Sequence, residues 1–239
     1  REILPRLMRR FALRGGEKNF LTCAKLLNLA NTDTQRKALM DGFEQAFEGG
    51  SLPSLPGALI KAIRDTGTAS LLLRVRQSED DAIRETSKMI SSKKVPLKER
   101  INYIRAFGEI SDESVLPSLL GIISGPVAPE IRRAAINACQ RFTDDDVGEI
   151  IITSYPLMIA ETRLTAQRVL SSRKNWSMAW MKAVQGKKIE TTNTSEEAIA
   201  GLRRHQDKSL NKLVEKYFGQ KVAETIPTPA MIEKIRSVI

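Results

Sequence analysis

Apolar residues recur along this chain at intervals of three and four, and glycine, proline and short polar clusters break the runs. That period puts one apolar stripe on each helix, facing its neighbours. It predicts helices near 3–13, 17–29, 33–47, 55–65, 68–77, 79–91, 97–110, 113–124, 129–142, 145–155, 161–172, 176–186, 195–204, 207–218 and 228–238. Alternating β-type runs are scarce. The run Ile150-Ile-Ile-Thr153 lies in helical register and reads as buried helix. Punctuation supports the joints: Gly15-Gly16 and Gly49-Gly50 act as stops, and Pro53 and Pro56 mark a turn. Pro129 suits a first helical turn, where its missing N–H costs nothing. Asp144-Asp-Asp146 caps a helix start, and Thr194-Ser-Glu-Glu197 reads as a capping box joining Thr194 and Glu197. The polar stretch before that box, 186–194, reads as a long loop within a single domain spanning 1–239.

The most informative segment is Phe107-Gly-Glu-Ile-Ser-Asp-Glu-Ser-Val-Leu-Pro-Ser-Leu-Leu120 with Pro129-Glu-Ile-Arg-Arg-Ala-Ala-Ile-Asn-Ala-Cys139. Together they spell a helix end, a tight polar turn, a second helix, a short loop and a third helix. The unit repeats. Arg100, Arg132 and Arg163 stand 32 and then 31 residues apart, each near the start of an apolar-periodic segment. The segments carry Ile101, Ile104 and Phe107, then Ala135, Ile136 and Cys139, then Leu164, Ala166, Val169 and Leu170. Small residues at Ala134, Ala135 and Ala138 allow two backbones to approach closely. One such hairpin cannot bury both of its apolar faces, so neighbours must stack.

These segments resemble the HEAT-repeat family. Its first helix often opens as Ile131-Arg-Arg-Ala-Ala135 does, its turn resembles Gly108-Glu-Ile-Ser-Asp112, and its second helix resembles Val115-Leu-Pro-Ser-Leu-Leu120. The best-matched repeats run over 97–186. The resemblance implies an all-α fold, a right-handed α-solenoid of HEAT-like helical hairpins. It does not by itself select a function, because HEAT arrays serve many roles.

Composition sharpens the functional question. No apolar stretch reaches the roughly 20 residues a membrane helix needs. The chain has 239 residues and a net charge of +10, with 5% aromatics. The positive excess gathers at 1–20, 61–110 and 161–239, while 111–160 is acidic. Arg6, Arg9, Arg10 and Arg14 would lie along one side of the first helix, where they could meet phosphates. Interleaved carboxylates favour a solvated face with ion pairs between repeats, and contact with an adjoining acidic domain is a further reading. Cys23 and Cys139 sit on apolar helix faces and read as core. His205, within Arg203-Arg-His-Gln-Asp-Lys208, is the one histidine, so neither a Ser-His-Asp triad nor a usual zinc site is supported. It reads as a helix C-terminal cap rather than a ligand or base. No haem attachment, dinucleotide or phosphate-loop motif occurs, so no catalytic, cofactor-binding or metal residue is assigned. Asn175-Trp-Ser177 and Asn193-Thr-Ser195 match the glycosylation acceptor pattern. The chain begins at Arg1 without a leader pattern, which reads as a piece of a longer protein.

Two ends of the chain and one inner segment carry a second resemblance. Leu4-Pro-Arg-Leu-Met-Arg-Arg-Phe-Ala12, Leu39-Met-Asp-Gly-Phe-Glu-Gln-Ala-Phe-Glu-Gly49 and 202–219 resemble the helical segment of a planctomycete-type multidomain family. Its members are described as haem-binding proteins and membrane-bound dehydrogenases. The resemblance implies a β-propeller before the segment, a c-type cytochrome with haem c after it, and an exported, periplasmic setting. The expectation is a non-catalytic scaffold that docks adjoining domains of a parent or another protein, with Arg6, Arg9, Arg10, Arg14, Arg203, Arg204 and His205 as interaction surface. The alternative is a basic HEAT-repeat nucleic-acid-binding protein, such as a DNA base-repair enzyme.

Overall fold

The structure, a computed structural model, describes residues 3–48 and 50–219. Among them there are fourteen α-helices and no strand. The first seven are α1 (Ile3–Arg14), α2 (Glu17–Leu29), α3 (Asp33–Ala46), α4 (Gly57–Thr66), α5 (Leu71–Arg76), α6 (Asp80–Met89) and α7 (Leu97–Ile110). The rest are α8 (Leu116–Ser124), α9 (Pro129–Cys139), α10 (Asp145–Ser154), α11 (Ala160–Leu170), α12 (Lys174–Gln185), α13 (Glu196–Arg204) and α14 (Lys208–Phe218). Short 3₁₀ turns occupy Glu113–Val115 and Tyr155–Leu157. The predicted boundaries hold to within a turn. The predicted helix 228–238 and the stop at Gly49 lie outside the described residues.

Local chemistry explains the ends. Gly15 and Gly16 take positive φ between α1 and α2, and the Asp144 carboxylate accepts from the Asp146 N–H at the start of α10. α5 begins later than the periodicity suggests because Ser70 is its cap, with Oγ accepting from the Leu73 N–H. At α13 the predicted capping box is corrected. Ser195, not Thr194, is the cap, and its Oγ accepts from the Ala198 N–H. The reciprocal arm comes from another helix: Gln167 Oε1 accepts from the Ser195 N–H at 2.9 Å. A tertiary partner thus replaces the local Glu of the usual motif.

Packing follows an alternating order. α1 packs on α3, α5 on α7, α7 on α9, α9 on α11 and α11 on α13; α2 packs on α4, α8 on α10, α10 on α12 and α12 on α14. Neighbours along the chain close the hairpins, as α1 with α2, α5 with α6, α8 with α9 and α13 with α14. Close approaches are made by glycine. A Cβ on Gly42 would fall 2.2 Å from the Pro5 carbonyl, on Gly108 2.8 Å from Ala138 Cα, and on Gly148 2.8 Å from Trp176. The expected role of Ala138 is therefore observed, at the α7–α9 crossing.

Apolar burial divides into two clusters. One runs from Met8 through Cys23, Phe43 and Ile63 to Leu73. The other runs from Val75 through Phe107, Ile136, Trp176 and Trp180 to Val214. The division falls inside α5. One expected stripe is corrected: Leu164 is exposed, and α11 buries Thr162, Thr165, Ala166, Val169 and Leu170 instead. The helical period requires it, since 162, 165, 166 and 169 share a face that 164 does not. Thr162 and Thr165 made that face hard to see by hydropathy.

The three register-marking arginines share one task. Arg100 Nε donates to the Ile90 carbonyl at 2.7 Å. Arg132 Nε donates to the Ile123 carbonyl at 3.0 Å and Nη2 to the Gly125 carbonyl at 2.6 Å. Arg163 Nη2 donates to the Pro156 carbonyl at 3.2 Å. Each guanidinium meets carbonyls left open at or just beyond the end of the preceding helix, the negative end of its dipole. Arg100 and Arg132 are buried, so these are interior bonds.

Two glycine substitutions test the packing. Gly108→Ala should cost about 1–3 kcal/mol, since Ala138 offers backbone rather than a yielding side chain. Gly121→Ala, with nothing within 4 Å of the added carbon, should gain about 0.5–1 kcal/mol. Urea unfolding of both variants checks the opposite signs.

Candidate interaction surface

Two adjoining concavities lie along α3, α5, α7 and α9. A cavity of about 360 Å³ opens where the two apolar clusters meet, lined by Phe43, Glu44, Phe47, Leu72, Arg76 and Arg105 among others. It is built around Arg76. That side chain donates through Nη2 to the Gly50 carbonyl at 2.7 Å and pairs with Glu109 at 3.0 Å. Across the same seam Glu44 Oε1 accepts from the Ser70 N–H at 2.9 Å. A groove of about 650 Å³ continues from it along α7 and α9, sharing Gly50, Arg105 and Glu109 and adding Glu130, Arg133, Asn137 and Arg141.

Contacts extend this face onto α11. Arg168 Nη2 donates to Asn137 Oδ1 at 2.8 Å, Arg133 pairs with Glu161 at 2.6 Å, and Arg173 Nη2 donates to the Gln140 carbonyl at 3.1 Å. The Arg133–Glu161 pair is solvent-exposed on the Glu side, where such pairs contribute little to stability. Its use is positional, fixing the relative set of α9 and α11.

The residues singled out by sequence fall in two separate places. Arg6, Arg9, Arg10 and Arg14 are all exposed on α1, over the first apolar cluster. Arg203, Arg204 and His205 lie at the end of α13, over the second. α1 packs on α2 and α3, and α13 on α11 and α14, so the two groups do not share a helix pair. Arg203 Nη2 donates to the Gly219 carbonyl at 2.8 Å. His205 is the C-cap residue of α13, as expected, but its ring serves a different helix. Nε2 lies 2.9 Å from the carbonyl of Ser171, the C-cap of α11, and 3.1 Å from Ser177 Oγ. Since a carbonyl only accepts and Ser177 Oγ donates to the Leu170 carbonyl, the proton sits on Nε2. The imidazole thereby ties α11, α12 and α13 together.

Gln167 carries a tertiary role that periodicity did not reveal. It is fully buried and satisfied: Nε2 donates to Tyr155 Oη and to the Asn193 carbonyl, each at 2.7 Å, and Oε1 receives Ser195. Its signal was present in the repeat register, where Ile104 and Ile136 stand in the two preceding copies. A polar residue at that apolar position pins the 186–195 loop to α11. Of the two acceptor patterns, the Asn175 side chain donates to Asp145, while Asn193 accepts from Gln167 through its backbone carbonyl.

Cys23 and Cys139 are free and buried in different apolar clusters. Desolvation pushes their thiols up to about 11 and about 12. Among the described residues no group of three or more His, Cys, Asp or Glu could hold a metal ion, and no helix is long and apolar enough to cross a membrane. No known family pattern matches the chain, and no curated protein is significantly similar to it.

Burial of Cys139 gives a pH prediction. The unfolded thiol ionises from about 9 upward while the folded one stays protonated to about 12, so folding holds the extra proton and stability falls across that window. Below pH 9 the contribution is fully present. Cys139→Ala should flatten the alkaline fall by up to about 1.4 kcal/mol per pH unit. Urea midpoints of both proteins from pH 8 to 11 measure the two slopes, and equal slopes would contradict it.

Proposed function

We propose that the chain is a right-handed α-solenoid of HEAT-like hairpins acting as a non-catalytic spacer and docking scaffold for other protein domains. The observation that carries this reading is the triple recurrence of one device. In consecutive repeats an arginine near the start of α7, α9 and α11 bonds the carbonyl end of the unit before it. The alternating packing order from α7 onward supports it too, since each of those helices meets the second helix along rather than a remote one. Stacks of this kind have stability that sums over nearest neighbours and a long surface on which other molecules lie.

The likeness of the two ends and of 39–49 to the helical segment of membrane-bound dehydrogenases supports a more specific assignment. In it, the neighbours are a propeller and a c-type cytochrome of an exported redox protein, and the stack fixes their separation. No haem site is assigned to this chain's own residues.

The quasi-one-dimensional architecture makes a sharp prediction. Both tryptophans, Trp176 and Trp180, sit in the second apolar cluster, while Phe43 sits in the first. Phe43→Ala should cost its own cluster about 3–5 kcal/mol. Far-UV circular dichroism should then show an early loss of helix with the tryptophan fluorescence midpoint nearly unmoved. A common shift of both probes would overturn the stack. The spacer role is tested in the full-length protein by exchanging residues 3–219 for a flexible Gly/Ser linker, which sets a broad spread of distances instead of one. Electron transfer between the flanking domains should lose most of its rate; an unchanged rate would sink the role while leaving the architecture standing.

A further inference from the structure

Several cations among the described residues are matched by carboxylates. Arg74 pairs with Glu79 and Asp81, Arg76 with Glu109, Arg133 with Glu161 and Lys174 with Asp207. Four exposed arginines on one side of the odd-numbered helices are not. Arg105 lies on α7, Arg141 just past α9, Arg168 on α11 and Arg204 at the end of α13. Among the described residues none of the four is within ion-pair distance of a carboxylate. They fall on successive helices that pack in that order. Arg105 and Arg141 line the same groove, Arg168 bonds to Asn137 in its wall, and the Arg204 guanidinium lies beside Gly201 at the α11–α13 seam. Counted from the carbonyl-binding arginine of each repeat, Arg105 and Arg168 stand five residues on, while Asn137 holds that place in the middle repeat and Arg141 stands nine on. Two members of the strip thus share one place in the repeat register.

Resting on the scaffold reading above, we propose that this strip docks an extended, acidic polypeptide segment. Two features select that occupant. The first is spacing. Packed helices lie about 8–10 Å apart. A polyproline II chain returns to the same side every three residues, after about 9.3 Å. One carboxylate every third residue therefore meets one arginine per helix, and four helices take a footprint of about nine residues. The second is the carboxylates on the same face. Glu109 and Glu130 stand in the groove wall, and Glu161 on α11 pairs with Arg133. Those carboxylates tolerate a chain with charge on one side only. They oppose a nucleic acid, which presents a phosphate every 3.4 Å of axis on each strand. The described residues of the groove wall also include no aromatic ring on which a base could stack.

The experiment is fluorescence anisotropy on the full chain with a labelled (Glu-Pro-Pro) repeat peptide of about twelve residues, slightly beyond the predicted footprint. The comparison probes are the Lys-Pro-Pro counterpart, a single-stranded oligonucleotide and a duplex of similar length. The glutamate peptide should bind, weaken with added salt, and lose about tenfold or more in affinity in an Arg105→Glu/Arg141→Glu/Arg168→Glu protein. An Arg105→Gln/Arg141→Gln protein guards against misfolding and should show a smaller loss at unchanged circular dichroism. Arg9→Glu/Arg10→Glu on α1, which changes net charge without touching the strip, should leave affinity within about twofold. Equal loss in that control, tighter binding of either oligonucleotide, or no binding of the glutamate peptide would overturn the proposal. None of those outcomes would disturb the spacer reading, whose tests are the two-probe unfolding and the linker exchange.

Discussion

The interaction on which this architecture depends is an arginine reaching from the first turns of one helix to the carbonyls that close the helix before it. A helix end leaves its last carbonyls without intrahelical partners, and in a stacked array those ends are buried against the next hairpin. Water cannot serve them there. Arg132 serves two at once, Ile123 and Gly125, while only 8% exposed. An unmet buried carbonyl costs about 1–3 kcal/mol, so the bonds of a single guanidinium are comparable to burying a large apolar side chain. The planar fork is also directional. It sets the angle at which a hairpin leaves its predecessor, something apolar contact alone would leave loose.

Around that bond the helices are brought close by removing side chains. Gly42, Gly108 and Gly148 each occupy a point where a Cβ would enter a neighbouring helix. Helix packing is thus held by a polar bond at helix ends and by missing carbons at helix crossings. The seam inside α5 works differently. Leu73 and Val75, two residues apart, enter separate apolar clusters, and Arg76 closes the gap by binding the Gly50 carbonyl and Glu109. A polar clamp takes the place of continuous apolar packing there, and the seam opens into a cavity rather than a filled core.

Much of this was legible in the chain because helices announce themselves twice, by apolar period and by end punctuation. The 31–32 residue recurrence of Arg100, Arg132 and Arg163 marked the repeat before any packing was known. What it did not disclose was that the arginines face inward, since a charged residue reads as surface unless its partner is in view. Three features stayed hidden for one shared reason, that their cause lies on another helix. Gln167 completes the cap of α13 from α11, so the local Thr194–Glu197 pattern misled by one residue. The ring of His205 binds the end of α11, although its position marks the end of α13. Thr162 and Thr165 fill the inward face of α11 where hydropathy pointed to Leu164. Sequence period reports the element, and it is silent on partners that arrive from elsewhere in the fold.

Depth decides what the same residue type does. At the start of the repeat an arginine is buried, bonded to carbonyls and spent on structure. Five or nine residues later it stands in water outside ion-pair distance of any carboxylate among the described residues, and at Arg168 and Arg141 it lies by a helix C-terminus, where the dipole already favours a cation. At those two positions the dipole helps to explain why an arginine is tolerated without a carboxylate partner. Charge on the face is mixed at both edges, with Arg133 beside Glu130 and Glu161 at one and Glu109 near Arg105 and Arg141 at the other. What recurs from helix to helix is an arginine that no carboxylate balances, and that recurrence acts on an acidic chain laid across the helices. The helices that turn buried arginines toward the preceding carbonyls therefore also turn exposed ones toward solvent.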